Sequence, residues 1–303
     1  MKINRTVYTR IDPFLCNGCG RCIQVCPSQT LSLKNDKALV SGNQSLGCDH
    51  CAAACPADAV NVAAIDPAAS RFKMFPSDDR WLPYGKFDIS LLVKLMRSRR
   101  SCRNYTDRPP ARDLLEDLVK IGIAAPSGSN CQHWTFTILP DRPAVQGLGD
   151  RIAVYFRRLN RLAENRFLRW SLKLIGKKRL DWYFREYYQA VEEALAEWKQ
   201  SGKDRLFHGA PALIVVGSRP GAACPAEDAL LATQNILLAA HGLGLGTCLI
   251  GFAVEALKKD VSLKRHLGIP EKEDIHAVIA LGYPREKYQR VAGRKPFVLR
   301  YSE

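Results

Sequence analysis

The stretch CNGCGRCIQVCP, residues 16–27, decides the fold of the first part of the chain. Its cysteines follow the spacing Cys16-x2-Cys19-x2-Cys22-x3-Cys26, and a proline follows the last of them. The two-residue gaps let three thiolates wrap around one compact group, and the glycines between them ease the backbone limits of so tight a turn. Four cysteines packed this densely indicate metal ligation.

The same unit recurs 29 positions later, because 48 − 19, 51 − 22 and 55 − 26 all equal 29. The second copy is SLGCDHCAAACP, residues 45–56, and it too ends in proline. The flanking segments also repeat, since 30–33 and 59–62 each predict a short alternating strand after a helical turn. Two halves related in this way imply two metal clusters.

This spacing resembles that of bacterial ferredoxins with two 4Fe–4S clusters, in which the fourth cysteine of each motif ligates the other cluster. The resemblance implies that one cluster is held by Cys16, Cys19, Cys22 and Cys55, and the other by Cys26, Cys48 and Cys51. Zinc is a disfavoured alternative, because zinc sites generally use cysteine pairs separated by a spacer.

Ser45 occupies the position where the repeat calls for a cysteine, because 16 + 29 = 45. The second site therefore has three thiolates and a hydroxyl. Four interpretations remain: a serine-ligated 4Fe–4S cluster, a 4Fe–4S cluster with a solvent-bound iron, a 3Fe–4S cluster, or an empty site beside an ordinary loop serine. A serine oxygen is a harder ligand than a thiolate, so any ligation other than four thiolates changes the reduction potential.

The rest of the chain has a different pattern. Residues 1–70 form the predicted two-cluster domain, residues 71–86 a linker, and residues 87–303 a second domain in which 150–205 is a helical segment covering the site. Apolar periodicity predicts helices at 88–97, after Pro109-Pro110, and at 225–242, with strands at 135–139 and 212–218. The glycine run 242–247 follows a helix and not a strand, so we interpret it as a helix end and turn, not a dinucleotide motif.

Four motifs in this second domain recur in the same order in FMN-dependent nitroreductases. They are Arg-Arg-Ser-x-Arg-x-Tyr from 99, Pro-Ser-x-x-Asn-x-Gln-x-Trp from 126, Gly-Leu-Gly-Thr-Cys-x-Ile-Gly from 244 and Gly-Arg-Lys-Pro from 293. With its first domain, the chain resembles the ferredoxin-fused branch of that family. The resemblance implies an α+β fold: a small ferredoxin-like 4Fe–4S module followed by a nitroreductase-like FMN domain.

The resemblance also implies FMN-binding residues and a homodimer with FMN at the subunit interface. The ribityl phosphate would be held by Arg99, Arg100, Ser101, Arg103 and Arg294. The ring and ribityl chain would be lined by Pro126, Ser127, Gly128 and Asn130. The backbone near the reactive nitrogen would be that of Leu249, Ile250 and Gly251. His133 departs from the family, which usually has proline before the tryptophan. The helix segment 229–240 is a candidate for the dimer core.

Composition adds three expectations. No run of about 18 apolar residues and no apolar N-terminal stretch is present, so we expect a cytoplasmic protein without membrane spans. Residues 151–180 hold ten Lys or Arg against one acid, a charge of +9 within a total of 45 − 30 = +15, which favours an anionic partner such as an acidic protein or a membrane surface. No nucleic-acid motif accompanies it. The cysteines outside the repeat, Cys102, Cys131, Cys224 and Cys248, lack metal-binding spacing and are predicted core residues.

These features lead to one functional hypothesis. A ferredoxin or another low-potential donor reduces the iron–sulfur clusters, the clusters reduce FMN, and FMN reduces a small nitroaromatic, quinone or enoyl-like acceptor without a dedicated catalytic side chain. Two alternatives remain: an adaptor that relays electrons between ferredoxin and a partner protein, and the same enzyme running in reverse as a dehydrogenase.

Overall fold

The computed structural model describes residues 5–302. The first part of the chain is a small two-sheet unit. Its β1 pairs antiparallel with β4, and β2 pairs antiparallel with β3, so the first strand of the unit closes against the last. The elements are β1 Thr9–Ile11, α1 Arg21–Gln24, β2 Leu31–Lys34, β3 Lys37–Val40, α2 His50–Ala53 and β4 Val60–Val62.

The sequence repeat is also a repeat of backbone conformation. Gly18 and Gly47 both have positive φ, 73° and 59°, and so do Gly20 and Asp49 at 73° and 63°, immediately before α1 and α2. Only glycine fits at 18, because an added Cβ would lie 2.2 Å from the carbonyl oxygen of Asp36. The two cysteine loops therefore have the same shape.

The second part of the chain is a four-stranded antiparallel sheet with helices on both faces, in the strand order β5-β6-β8-β7. This architecture matches the α+β class expected from the sequence. The strands are β5 Trp134–Leu139, β6 Ala212–Ser218, β7 Gly246–Leu249 and β8 Asp274–Gly282. The helices are α3 Ile89–Ser98, α4 Arg112–Gly122, α5 Arg142–Glu164, α6 Arg166–Leu174, α7 Arg179–Glu186, α8 Tyr188–Ser201, α9 Pro225–Gly242, α10 Gly251–Lys259 and α11 Val261–His266.

Strand β6 is buried along its whole length because both of its faces are covered. Leu213 and Val215 pack into one core with α5 and α10, while Ala212, Ile214 and Val216 pack into another with α4 and α9. Alternation of side chains along the strand sorts them to the two faces. Segment 150–205 is helical, as expected, and within residues 5–302 no helix is long and apolar enough to cross a membrane.

The start of the predicted linker is docked onto the second domain. The backbone N–H groups of Lys73 and Met74 both donate to Asp117 Oδ2 at 2.8 Å, and Asp117 is fully buried in α4. The Lys73 ammonium also lies 2.7 Å from Asp113 and 2.9 Å from Glu116. The start of the linker is thus attached to α4. The polar and proline-rich composition of the linker did not predict this attachment.

We expect Asp117→Ala to release this attachment. The substitution leaves two N–H groups without their charged acceptor, at about 1.5–3 kcal/mol for each bond. Limited proteolysis should then cut within residues 75–87 much faster than in the parent protein. Asp113→Ala is the matched control, since it removes only an exposed ion pair on the same helix and should leave the cleavage rate nearly unchanged. Equal protection in both variants would contradict the anchoring role of Asp117.

Candidate functional site

Four cysteines surround one small cavity of the first module. Cys16, Cys19, Cys22 and Cys55 line it, which is the quartet implied by the ferredoxin resemblance. The N–H of Ala38 donates to Cys16 Sγ at 3.4 Å, and the N–H of Ala59 donates to Cys55 Sγ at 3.3 Å. The first of these bonds holds the pKa of Cys16 below its usual value, so the thiolate form that binds iron is favoured.

A second cavity repeats this arrangement with one exchange. Cys26, Cys48, Cys51 and Ser45 are among the residues that line it, and the N–H of Thr30 donates to Cys26 Sγ at 3.4 Å as that of Ala59 does to Cys55. The hydroxyl oxygen of Ser45 accepts a hydrogen bond of 3.1 Å from the N–H of Gly47. Ser45, at the position where the repeat calls for a fourth cysteine, thus lines the same cavity as Cys26, Cys48 and Cys51.

These donor sets fit multi-iron clusters better than single ions. In the described part of the chain, no three His, Cys, Asp or Glu side chains converge on one ion position. Thiolates spaced around a cavity suit a cluster, whereas a zinc site brings four ligands to about 2.0–2.3 Å from a single point.

The arginine motif lies against β7. Ser101 bridges Thr247 in parallel, and the N–H of Cys102 donates to the carbonyl of Thr247 at 2.9 Å. The close crossing requires glycine at 246, where an added Cβ would lie 2.6 Å from Cys102 Cβ. The glycine run 242–247 therefore has a packing role beyond the turn expected from the sequence.

Positive charge accumulates at this crossing, and the nearby acid, Glu286, accepts from the Arg103 backbone N–H at 3.4 Å and from the Cys102 thiol at 3.1 Å, not from a guanidinium group. Burial lowers the pKa of Arg99, and the nearby charges of Arg100 and Arg294 lower it further. Arg103 lies beside the buried Cys248 thiol. Among residues 5–302 none of these four arginines forms an ion pair with an acid. Arg99 is half-buried and the other three are exposed, and such a group of guanidinium groups without ion-pair partners favours a bound anion such as a phosphate.

The predicted ring-contacting stretch continues from this charge cluster into a large cavity. Leu249, Ile250 and Gly251 join β7 to α10 and line a cavity of about 1350 Å³. The N–H of Ile250 donates a hydrogen bond of 2.9 Å to the carbonyl of Val278. The wall of the cavity is mostly apolar and includes aromatic side chains of α5, α7, α10 and the junction between α7 and α8, namely Tyr155, Phe156, Trp182, Tyr183, Tyr187 and Phe252. Segment 150–205 thus contributes much of this wall.

The loop 126–130 has a shape set by several close contacts. The N–H of Gly128 donates to Asp228 Oδ1 at 2.9 Å, at the start of α9, and an added Cβ at 128 would lie 2.9 Å from that of Ala223. Ser129 and Asn130 have positive φ, 54° and 52°. The Ser127 hydroxyl oxygen accepts from the N–H of Gln132 at 3.0 Å. The loop is therefore a fixed feature of the surface.

Asn130 contacts the first module. Its side-chain amide Nδ2 donates to the carbonyls of Leu46 at 3.0 Å and Gly47 at 3.2 Å, immediately before Cys48. The resemblance to nitroreductases implied only a flavin contact for Asn130. No pattern of neighbouring residues predicts its hydrogen bond to Gly47, which lies 83 positions away.

The predicted FMN residues fall into two separated groups. Loop 126–130 is bonded to Asp228 near the start of α9. Arg99 lies near the other end of that helix, where partial burial lowers the pKa of the half-buried His241 and the charge of Arg99 lowers it further. Thirteen residues of helix between 228 and 241 span about 20 Å. The order of the strands is consistent with this separation. Strand β5, which follows the loop, lies at one edge of the sheet, and β7, which the arginine motif contacts, lies at the other edge.

Two further predictions concern the surface and the scattered cysteines. On α6, Phe167, Trp170 and Leu174 are exposed beside Arg166 and Lys173, so the expected anionic partner of segment 151–180 would meet a face that is both apolar and cationic. Cys102 and Cys248 are buried and Cys131 is half-buried, but the core prediction is wrong for Cys224, which is exposed where the chain enters α9.

We expect Ser45→Cys to give the second cavity four thiolates. The variant should shift the reduction potential and the EPR signal of the second cluster while leaving the first unchanged, because a thiolate is a softer ligand than oxygen. Ser41→Cys is the control, since Ser41 is exposed and does not line the cavity. EPR spectra and iron content identical to those of the parent protein would mean that Ser45 does not face iron.

Comparison with known proteins agrees with this geometry. Residues 96–283 match the sequence model of the nitroreductase family, and residues 15–60 match that of a 4Fe-4S dicluster domain. A 4-nitrobenzoate reductase of Nocardioides sp. is 28% identical over 64% of this chain and 81% of its own length. An iodotyrosine deiodinase of Thermotoga neapolitana is 24% identical over 67% and 95%.

The solved structure of a nitroreductase with bound FMN from Bacteroides fragilis covers 69% of this chain and 98% of its own, with 23% identity and a TM-score of 0.50, a likeness of fold. The family match covers more than half of the chain. The protein therefore belongs to the nitroreductase family of oxidoreductases and carries a 4Fe-4S dicluster domain ahead of that fold.

Proposed function

We propose that the protein is an FMN-dependent oxidoreductase that takes electrons from a low-potential donor through two iron–sulfur clusters and uses them to reduce a small organic acceptor. The observation that carries the proposal is the arginine cluster at β7, whose guanidinium groups form no ion pair, and which continues through 249–251 into the large, mostly apolar cavity. The Bacteroides fragilis relative binds FMN, and the same family fold is present here.

The residues at and after β7 can bind first the phosphate and then the ring of FMN. Arg99, Ser101, Arg103 and Arg294 supply the cations and hydroxyl that a phosphate requires. The 249–251 stretch follows directly and borders the cavity where a flat ring has room. A bound flavin exchanges one or two electrons, which links one-electron clusters to two-electron organic chemistry.

One flavin site would use two copies of the chain. Loop 126–130 is predicted to line the ring and ribityl chain, yet it lies about 20 Å along α9 from the arginines of its own chain. A second copy can bring its Pro126, Ser127 and Gly128 to the site instead. Exposed apolar side chains support such a dimer: Leu230 and Leu231 on α9, and Phe297, Val298, Leu299 and Tyr301 on the tail.

The cavity favours an enzyme with a small acceptor over an adaptor that only relays electrons. Its volume of about 1350 Å³ exceeds the roughly 300–1,000 Å³ of ordinary ligand pockets, so a ring and an acceptor can share it. Phe156 and Tyr187 both contact Phe252 edge-on, with centroids 5.6 and 5.5 Å apart. Such walls suit flat apolar acceptors such as nitroaromatics, quinones or enoyl compounds.

We expect Arg103→Ala to weaken FMN binding. Loss of one charge-assisted phosphate contact removes about 1.5–3 kcal/mol, which is roughly a ten- to hundredfold rise in Kd. Fluorescence titration of the apoprotein with FMN measures it, and iron content should not change. Arg97→Ala on the exposed side of α3 is the control. An unchanged Kd for Arg103→Ala would contradict the phosphate assignment.

The proposed function is tested by anaerobic stopped-flow absorbance of the full-length protein. Reduced ferredoxin should bleach the flavin in a fast phase that disappears in Cys48→Ser/Cys51→Ser, whereas NADH should give only slow bleaching that the substitutions do not affect. Bleaching by ferredoxin at the same rate with and without the second cluster would refute the relay. A reduced acceptor formed by the isolated protein would distinguish the enzyme from an adaptor.

A further inference from the structure

The second cluster cavity is the one that faces the nitroreductase domain. Asn130 donates to the carbonyls of Leu46 and Gly47, and these two residues lie between Ser45 and Cys48 on the wall of that cavity. Within residues 5–302, the hydrogen bonds of the loop around Cys16, Cys19 and Cys22 stay inside the first module. The second cluster is therefore the one next to loop 126–130.

The module is also held in this place by its linker. Asp117 of α4 accepts from the N–H groups of Lys73 and Met74, and the Lys120 ammonium donates to the carbonyl of Arg71 at 2.6 Å. Helix α4 leads through residues 123–125 into the same loop. Two attachments, one by the linker and one by Asn130, fix the second cluster close to the loop of its own chain.

The arginine cluster of the same chain is remote from this place. It lies near the far end of α9, about 20 Å from the contact between Gly128 and Asp228. If each flavin uses the arginines of one chain and the loop of the other, the nearest module to that flavin is the one docked on the loop.

We propose that electrons are delivered between subunits: the second cluster of one chain reduces the flavin whose phosphate is held by Arg99, Ser101 and Arg103 of its partner copy. This inference rests on the two-copy flavin site of the proposed function. Two molecules of a reduced one-electron donor of the ferredoxin type are oxidised. Their electrons pass singly through the cluster with ligands Cys16, Cys19, Cys22 and Cys55 to the second cluster, and one proton from solvent accompanies the pair onto the flavin.

Two heterodimers carrying the same four substitutions test the direction of delivery. In the first, one chain has Arg99→Glu and Arg103→Glu and the other has Cys48→Ser and Cys51→Ser. In the second, one chain has all four and its partner has none. Different affinity tags on the two chains allow each heterodimer to be purified. Both then contain one intact arginine cluster and one intact second cluster, and each should bind one FMN per dimer.

Delivery between subunits gives opposite results for the two dimers. In the first, the retained flavin meets the loop of the chain with the intact second cluster, so reduced ferredoxin should bleach it in the fast phase. In the second, that flavin meets the loop of the defective chain, so the fast phase should be lost. Resting flavin fluorescence is a readout independent of turnover, and it should be more strongly quenched in the first dimer, where the cluster is near.

The reverse order in bleaching and fluorescence, or equal values for the two dimers, would overturn delivery between subunits. The parent homodimer separates this result from a failure of the proposed function. If the homodimer also lacks the fast phase, the relay from clusters to flavin is wrong, and delivery between subunits fails with it. If the homodimer bleaches rapidly and only the order is reversed, the relay holds and the electrons stay within one chain.

Discussion

Helix α9 is the constraint on which the arrangement of this protein depends. It runs from Pro225 to Gly242 and is anchored in the core by Ala229, Ala232, Ile236 and Ala240, which are fully buried. A helix of 18 residues is about 27 Å long. Because one end is bonded to loop 126–130 and the other lies near Arg99, α9 keeps the two groups of predicted FMN-binding residues apart within one chain.

That separation explains why the position of the first module matters. A module tethered by a free linker could approach any face of the larger domain, and its effective concentration would be set by chain length alone. Here the linker is bonded to Asp117, and Asn130 holds the second cysteine loop. The place of the second cysteine loop on the larger domain is thus set by contacts of fixed geometry, and in the proposed dimer these contacts would determine which flavin the second cluster serves.

Within the first module, the sequence repeat gives the two cysteine loops the same stabilising contacts. A unit of about 70 residues with a small core gains much of its stability from its metal sites. The two cavities share the same backbone turns and the same N–H to sulfur bonds, from Ala59 to Cys55 and from Thr30 to Cys26. Ser45 is the one predicted ligand position at which the halves differ, so a cluster ligated there by oxygen would differ in potential from one held by four thiolates.

The sequence by itself determined the features that depend on neighbouring residues. Cysteine spacing predicted two metal clusters, apolar periodicity predicted α3, α9 and β6, and the arginine motif predicted a phosphate-binding group of cations, because each pattern is set by local geometry along the chain. Only the tertiary structure decided the contacts between distant residues. The bond from Asn130 to Gly47, the burial of Asp117 beneath the linker and the need for glycine at 246 each join segments far apart in sequence. Such pairs are fixed by packing of the whole chain, and no short pattern of residue types encodes them.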